Sequence, residues 1–150
     1  MEFLLKPFSE LSTLELYQIL QLRSEVFVIE QEILYQDMDN KDLSSHHLMG
    51  YQNGELVAYA RLLPEGISYQ GYCSIGRVCT KISVRTCGYG KMLMNQAIAN
   101  CKTLFPAHTI KISGQSYLLR FYTELGFQAI GEEYLEDGIP HWAMIYQGKN

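Results

Sequence analysis

One stretch near the middle of the chain constrains the fold more than any other. A β-prone run ends near Thr80, a loop carries Arg85 and two glycines, and an amphipathic helical pattern begins at Gly88 to Gly90. The unpaired N–H groups and partial positive charge of a helix N-terminus attract anions, and glycine lets a backbone approach a ligand closely. The stretch therefore predicts either a phosphate-binding loop or a plain strand–helix turn bent by its glycines.

Two familiar phosphate loops do not match this stretch. Leu93 stands where the dinucleotide-binding fingerprint has its third glycine, and no Gly-Lys-Ser or Gly-Lys-Thr of a P-loop occurs in the chain. What remains is Arg85-x-x-Gly88-x-Gly90. The arginine side chain offers a fork of donors for a second phosphate.

The composition predicts one globular domain and argues against two classes of partner. The chain has 150 residues, 47% of them hydrophobic and 19% charged, and one domain of this size buries roughly 70% of its unfolded surface. A net charge of −4 gives no support for a nucleic acid or an anionic membrane as partner. We therefore expect a single domain over residues 1–150, in which any anion site is local.

Cysteine, histidine and aspartate spacing gives no metal site. The four cysteines have no C-x-x-C spacing and form no zinc pattern with the four histidines. The aspartates between Leu34 and Leu43 lack the spacing of a calcium loop, so we interpret that segment as a solvated acidic loop. No signal peptide or bilayer-spanning apolar run is visible. We expect a reduced, cytoplasmic protein without a metal.

Hydrophobic periodicity and turn residues predict the element order β-α-β-β-β-α-β-α-β-β. Ser12 and Glu15 match a capping box before the first helix, and Asn53-Gly54 marks a hairpin. Sequential hairpins imply antiparallel pairing, and the strand–helix–strand unit around Gly88 implies a parallel crossover. The predicted strands are 3–8, 46–52, 55–63, 72–80, 109–113, 127–134 and 141–146, and the last helix spans 115–125.

Two motifs in this order resemble the GNAT N-acetyltransferase superfamily. Arg85-x-x-Gly88-x-Gly90 is similar to its acetyl-CoA pyrophosphate loop, and residues 121–127, Phe-Tyr-Thr-Glu-Leu-Gly-Phe, are similar to its Phe-Tyr-x-x-Leu-Gly-Phe segment. The resemblance covers nearly the whole chain, and residues 23–31 and 136–141 resemble the ElaA-like branch in particular. It implies an α/β fold with a central mixed sheet of six to seven strands flanked by about four helices.

The resemblance also implies where acetyl-CoA binds. Arg85 and the N–H groups of the loop would hold the pyrophosphate, and the backbone of the fourth strand would pair with the pantetheine arm, which enters where the fourth and fifth strands splay apart. Gln115 stands where the family often has asparagine. The implied cosubstrate-binding residues are Val78, Cys79, Thr80, Arg85, Cys87, Gly88, Tyr89, Gly90, Lys91, Gln115 and Tyr122.

The same resemblance places Tyr122 near the thioester sulfur, as a hydrogen-bond donor or general acid. Full proton transfer from a tyrosine of pKa ~10 to a thiolate of pKa ~8.5 runs uphill by roughly 2 kcal/mol. A hydrogen bond to the developing charge is therefore the expected role. The alternative is that Tyr122 is only a core aromatic beside Phe121.

A general base is harder to assign. Where the histone-modifying branch carries a glutamate, this chain has Ser74, which cannot be that base. His141 and Glu30 are the candidates that we select, with His46 and His47 as alternatives. Without a strong base, a lysine amine of pKa ~10.4 is handicapped by roughly 4–5 kcal/mol at pH 7 and an α-amine of pKa ~7.8 by only about 1 kcal/mol. Weakly basic amines are thus the easier acceptors.

The function implied is transfer of an acetyl group from acetyl-CoA to an amine by direct attack in a ternary complex. One alternative is an acyl-CoA-binding sensor or interaction module without turnover, and another is a transferase of longer acyl groups that fit near Phe27 and Met38. The acceptor is a small amine, a peptide N-terminus or a protein lysine. Arg61 and Arg77 either orient an acceptor carboxylate or are exposed strand residues. A homodimer through the last strands is a further expectation.

Overall fold

A computed structural model describes residues 1–148. Within them, seven strands form one mixed sheet in the order β1-β2-β3-β4-β5-β7-β6. The strands are β1 Glu2–Pro7, β2 His46–Gln52, β3 Glu55–Leu63, β4 Tyr72–Thr80, β5 Thr109–Gln115, β6 Phe127–Glu136 and β7 Ile139–Tyr146. The α-helices are α1 Thr13–Arg23, α2 Tyr89–Leu104 and α3 Leu119–Leu125. The predicted element order and mixed sheet are confirmed.

The first helix begins where the capping box predicts. Ser12 Oγ accepts a hydrogen bond from the Glu15 N–H at 3.0 Å, and Glu15 Oε1 accepts one from the Ser12 N–H at 2.8 Å. After Arg23 the chain does not break away but continues as a π-helical turn over Ser24–Glu30. Such turns occur frequently at functional sites because they shift the direction of the side chains that follow.

The antiparallel half of the sheet runs from β1 to β4. Asn53 and Gly54 both have positive φ, 51° and 79°, as the two-residue turn between β2 and β3 requires. A register shift between Tyr59 and Arg61 interrupts the pairing of β3 with β4. This irregularity turns the Arg77 side chain of β4 toward the acidic loop between Leu34 and Leu43.

The parallel connection between β4 and β5 positions the site. The two strands pair only at Tyr72 with Thr109 and at Cys73 with Ile110. Beyond these residues they diverge, and β5 pairs instead with β7. The edge of β4 from residue 74 to 80 has no strand partner on that side within the described chain. An extended ligand can therefore add to this edge as a strand would.

Two hydrophobic clusters lie on opposite faces of the sheet. The larger packs α2 and α3 against the sheet, and Leu93, Ala97 and Cys101, which form one stripe along α2, are fully buried in it. The smaller packs Ile19, Leu22 and Val26 of the first helix and its π-helical turn against β2, β3 and β4. Both faces of the central strands are covered, which explains their nearly continuous apolar sequence.

Two predicted boundaries are wrong. β5 continues to Gln115 and a short 3₁₀ turn precedes α3, so the predicted helix over 115–125 begins only at Leu119. The last hairpin is longer than predicted, because Asp137 and Gly138 adopt the positive φ values, 52° and 76°, of a tight turn. In both cases pairing with β7 outweighs local helix or loop propensity, since Gln115 pairs with His141.

Two kinds of binding feature are absent from the described residues. Within residues 1–148, no group of three or more His, Cys, Asp or Glu side chains is arranged to hold a metal ion. None of the helices in that range is long and apolar enough to cross a membrane.

Candidate active site

A cleft of about 790 Å³ opens at the gap between β4 and β5. Its walls come from the π-helical turn, the loop that follows it, β3, β4, the segment before β4, the start of α2, α3 and the last hairpin. The predicted site residues that line it are Glu30, Val78, Cys79, Thr80, Arg85, Gly90, Gln115, Tyr122 and His141. The remaining predicted residues, Cys87, Gly88, Tyr89 and Lys91, lie in the adjacent loop and the first turn of α2.

The predicted phosphate loop is a 3₁₀ turn, Ile82–Cys87, followed by a single left-handed residue. Gly88 has φ 76°, and a Cβ built there meets no atom within 4 Å. Position 88 thus requires glycine because of its left-handed backbone conformation, and the space next to this residue is open. The helix α2 starts directly afterwards, so its N-terminal N–H groups and partial positive charge lie beside the cleft.

Arg85 is bound to the cleft wall. Its Nε and Nη2 donate to the carbonyl oxygen of Thr80 at 3.2 and 3.0 Å, and Nη2 lies 2.7 Å from Glu30 Oε2. Two predicted site residues, the phosphate-binding arginine and one candidate base, therefore form one ion pair. Glu30 thus faces a cation rather than standing free in the cleft, and its role as a base stays a prediction.

Tyr122 is 8% exposed and belongs both to the aromatic core and to the cleft wall. Its ring packs edge-on against Phe121 and Phe127, with centroids 5.2 and 6.0 Å away, and also lines the cleft. Burial, with a smaller contribution from Tyr117, raises the pKa of Tyr122 to about 12. The phenol is therefore protonated at neutral pH and available as a hydrogen-bond donor.

His141 has a defined tautomer. Its Nδ1 lies 2.7 Å from the carbonyl oxygen of Ile139, which can only accept, so Nδ1 carries a proton. In the neutral ring Nε2 is then an acceptor, and it lies 3.3 Å from Glu136 Oε2. A proton taken up at Nε2 would be stabilised by that carboxylate. The arrangement suits a general base at the edge of the cleft.

The two histidines named as alternative bases, His46 and His47, do not line the cleft. His47 is fully buried, with Nδ1 2.7 Å from the Tyr59 hydroxyl and Nε2 2.9 Å from the carbonyl oxygen of Asp42. His46 packs edge-on against Phe105. Burial lowers the pKa of both histidines. They are structural residues, and the expectation that either could serve as the base is not supported by their position.

The acidic segment predicted to be a solvated loop is instead a buried ion-pair network, so that prediction was wrong. Asp37 and Asp42 are only 8% and 7% exposed. The ion pairs join Arg23 to Asp37 and Asp42, Arg61 to Asp39 and Asp42, and Arg77 to Asp37 and Asp39. Charges can be buried here because each is paired and hydrogen-bonded. The network ties the loop to α1, β3 and β4.

The two arginines of uncertain role belong to this network and line the cleft. Arg61 is 3% exposed and holds Asp39 with both terminal nitrogens, at 2.8 and 3.0 Å. Arg77 has φ 50°, a backbone conformation that costs a non-glycine residue about 1–3 kcal/mol. This conformation accompanies the contacts of its guanidinium with Asp37 and with the ring of Tyr35. Arg61 is therefore no exposed strand residue, and both guanidinium groups are already paired.

Neither cysteine near the site suits covalent catalysis. Cys79 lines the cleft but is buried, and burial raises the pKa of its thiol. Cys87 is exposed and outside the cleft lining.

Three further residues named from the sequence have a defined place. Ser74 is buried on β4 in the cleft wall. Met38, which was expected near the acyl pocket together with Phe27, does not line the cleft. Phe27 does.

Comparisons with known proteins agree with this architecture. Residues 11–147 match the acetyltransferase (GNAT) domain family, and the chain belongs to that family. Within it the chain falls in the ElaA-like branch, since it is 41% identical to protein ElaA of Escherichia coli over 138 residues, 91% of this chain and 90% of ElaA. A UPF0039 protein of Schizosaccharomyces pombe is 44% identical over 146 residues, 96% of this chain and 95% of the relative.

Solved structures give the same result for the fold. The crystal structure of Escherichia coli ElaA matches with a TM-score of 0.91 and 38% identity, covering 97% of this chain and 99% of that one. An acyl-CoA N-acyltransferase from Pseudomonas aeruginosa matches with a TM-score of 0.90 and 40% identity over the same shares. The fold is thus that of the GNAT acyl-CoA N-acyltransferases.

Proposed function

We propose that this protein transfers an acetyl group from acetyl-CoA to an amine by direct attack in a ternary complex. The observation that carries the proposal is the gap between β4 and β5. The N-terminus of α2 stands at one end of the cleft formed there, and Tyr122 and His141 line its walls. Membership of the acetyltransferase (GNAT) family supports acyl transfer as the reaction class.

The residues present fit a CoA molecule. The backbone N–H groups of residues 87–91 would receive the pyrophosphate, and the open space before Gly88 leaves room for it. The unpaired edge of β4 at Val78 to Thr80 would hydrogen-bond the pantetheine amides, and Gln115 would add a side-chain amide from the facing strand. Acetyl-CoA supplies an activated acyl group, whose thioester carbonyl a backbone N–H of β4 would polarise.

The chain's own residues would manage the protons. His141 Nε2 would accept the proton that the amine loses, and Glu136 would stabilise the resulting imidazolium. Tyr122 would donate a hydrogen bond to the sulfur as the C–S bond breaks. With the pKa of Tyr122 at about 12, full transfer of its proton to a thiolate of ordinary pKa ~8.5 would run uphill by about 5 kcal/mol. Stabilisation by hydrogen bonding is therefore the preferred role.

Direct attack is supported by the state of the thiols. Covalent relay would need a thiolate in the cleft, and burial keeps the Cys79 thiol protonated. The amine therefore attacks the thioester carbon itself, forming the amide bond while the C–S bond breaks. CoA leaves as a thiolate that accepts a hydrogen bond from the Tyr122 hydroxyl and then takes a proton from water. The sensor alternative predicts binding without this turnover.

The proposal is tested first by calorimetric titration of acetyl-CoA and desulfo-CoA. We expect micromolar binding to the wild type and at least tenfold weaker binding to Arg85→Ala, with Lys102→Ala, at the far end of α2, as the matched loss of one positive charge. Release of free CoA thiol in the presence of an amine panel then measures turnover. Absence of binding to the wild type would contradict both the enzyme and the sensor, and binding without turnover on any amine would favour the sensor.

A further inference from the structure

One cation in the cleft wall stands apart from the others. The four lysines and arginines that line the cleft are Lys41, Arg61, Arg77 and Arg85. The three arginines are each paired with a carboxylate, whereas in the described chain no carboxylate oxygen lies within 4.0 Å of Lys41 Nζ. That nitrogen instead donates to the hydroxyl of Ser68 at 3.2 Å. A half-buried ammonium beside a hydroxyl keeps donors for an anionic group.

The ion-pair network holds Lys41 in this position. Its backbone N–H donates to Asp39 Oδ1 at 3.1 Å, and Asp39 is held by both terminal nitrogens of Arg61. Asn40, between them, adopts φ 69°, which turns the chain into the 3₁₀ turn Lys41–Ser44. The buried charges thus fix a loop whose lysine points to the cleft, and this gives a reason for a network that is costly to bury.

The last hairpin carries the complementary charge. Glu136 and His141 line the same cleft as Lys41 and Ser68, and Asp137 beside them is without a salt-bridge partner in residues 1–148. Tyr69 follows Ser68 in the chain, and its ring centroid lies 4.8 Å from the Nζ of Lys111, a β5 residue that pairs with Ile145 of β7. Burial raises the pKa of Tyr69 to about 12, and the neighbouring Tyr134 and Glu136 raise it further. The segment that carries Ser68 therefore lies close to the last hairpin.

We propose that the acceptor is a free amino acid, bound with its amine at His141 and Glu136 and its carboxylate at Lys41 and Ser68. The inference rests on the proposed acetyl transfer and names the acceptor class for that same site. One ammonium and one hydroxyl match a single carboxylate, while the facing acid and base match an amine that must lose a proton. The adjacent carboxylate makes the amine of a free amino acid more basic than a peptide N-terminus, but that amine still loses its proton more readily than a lysine side chain does.

The test compares amino acids with their carboxamides as acceptors, with kcat/KM expressed per deprotonated amine because the carboxamide has the less basic amine, so that the comparison isolates the carboxylate charge. For the wild type we expect kcat/KM to be at least tenfold higher for the acid than for the amide. Lys41→Gln should reduce this ratio to near one through a higher KM for the acid, and Lys41→Arg should restore most of it. Lys102→Gln, which removes a charge far from the cleft, should keep the wild-type ratio. An acid-to-amide ratio near one in the wild type, or one that Lys41→Gln leaves intact, would overturn the assignment.

A second measurement separates this inference from the proposed reaction. Calorimetry of N-acetylated amino acids and their amides into the CoA-saturated protein reports recognition of the carboxylate without turnover. A Lys41-dependent preference for the acid supports the subsite even if no amine is acetylated, in which case only the acetyl transfer fails. Turnover of amines with no such preference in either measurement leaves the enzyme standing and rejects the subsite.

Discussion

Glu30 and Arg85 meet at the mouth of the cleft, with Glu30 Oε2 2.7 Å from Arg85 Nη2, one from the π-helical turn after α1 and the other from the loop before α2. The pair crosses the region where the pyrophosphate of CoA is proposed to bind. The same guanidinium would therefore serve either the carboxylate or a phosphate. Glu30 competes for the arginine, and this relationship gives it a testable role.

Replacing Glu30 by Gln should strengthen acetyl-CoA binding. The carboxylate both repels a pyrophosphate and occupies the arginine, and partly exposed pairs of this kind are worth about 0.2–1 kcal/mol. We expect a Kd about two- to fivefold lower by calorimetry, with turnover within about threefold of the wild type. If Glu30 is the general base instead, the variant will keep its affinity and lose turnover by at least a hundredfold. The double variant Glu30→Gln, Arg85→Ala should lose the gain in affinity.

Tyr122→Phe should separate binding from chemistry. The ring contacts with Phe121 and Phe127 are retained by phenylalanine, so the fold and the Kd for acetyl-CoA should stay close to wild type. Loss of the hydroxyl removes the proposed donor to the leaving sulfur, and kcat should fall at least tenfold. Single-turnover measurement of CoA release, beside a melting curve, tests this. Unchanged turnover would leave Tyr122 as a core aromatic alone.

Gly114→Ala should displace the ring of Tyr122, which packs directly against this glycine. An added Cβ would lie 2.9 Å from Tyr122 Cε2 and 3.0 Å from Met144 Cε, closer than carbon atoms tolerate. Overpacking of this kind costs about 1–3 kcal/mol. We expect a lower melting temperature together with reduced kcat, because the ring must shift. A variant with wild-type stability and turnover would contradict this prediction, because it would show that the added methyl group fits beside Tyr122 and Met144.

His141→Gln should impair deprotonation of the amine. Glutamine has no basic nitrogen, so kcat/KM at neutral pH should fall by about 10²-fold or more, within the range of general-base contributions. The rate of the variant should then rise with pH until the acceptor amine is itself deprotonated, where it should approach the wild type. A parallel loss at all pH values would indicate a structural role. Glu136→Gln should show a weaker form of the same profile.

Asp39 should make the fold sensitive to acid. Burial alone would raise the pKa of Asp39, but hydrogen bonds and charge from Arg61 outweigh it and lower the pKa to about 2. Because the folded-state value lies below the ordinary 3.8, the contribution to stability is complete above about pH 5 and is lost as pH falls from about 4 to 2, by about 2 kcal/mol. Urea unfolding across this range checks it. Asp39→Asn should be less stable at neutral pH and have a flatter acid limb.

The parts of the fold that could be predicted are those with short-range causes. The capping box of Ser12 with Glu15 and the turn of Asn53 with Gly54 depend on residues at most three positions apart. The burial of the aspartate loop does not, because Asp37 meets Arg77 from 40 residues away. An acidic segment without its distant arginines looks solvated. The register shift between β3 and β4 lies beside Arg77, where that long-range contact is made.

The candidate site also contains residues that local sequence patterns predict and residues that depend on long-range contacts. The glycine loop, Tyr122 and His141 were accessible from motifs, and the structure brings them to one cleft. The pairing of Glu30 with Arg85 was not, because it depends on a π-helical turn that no local pattern specifies. Lys41 was equally hidden, since its importance appears only when the neighbouring arginines are found to be occupied.

The two residue pairs that join β4 to β5 also limit the width of any ligand that enters the cleft. Within residues 1–148 the strands pair no further than Cys73 and Ile110, and the edge of β4 beyond them is open to a ligand. One further pair between the strands would narrow this opening without altering any side chain in it. The number of such pairs therefore controls the width of the cleft independently of the residues that line it.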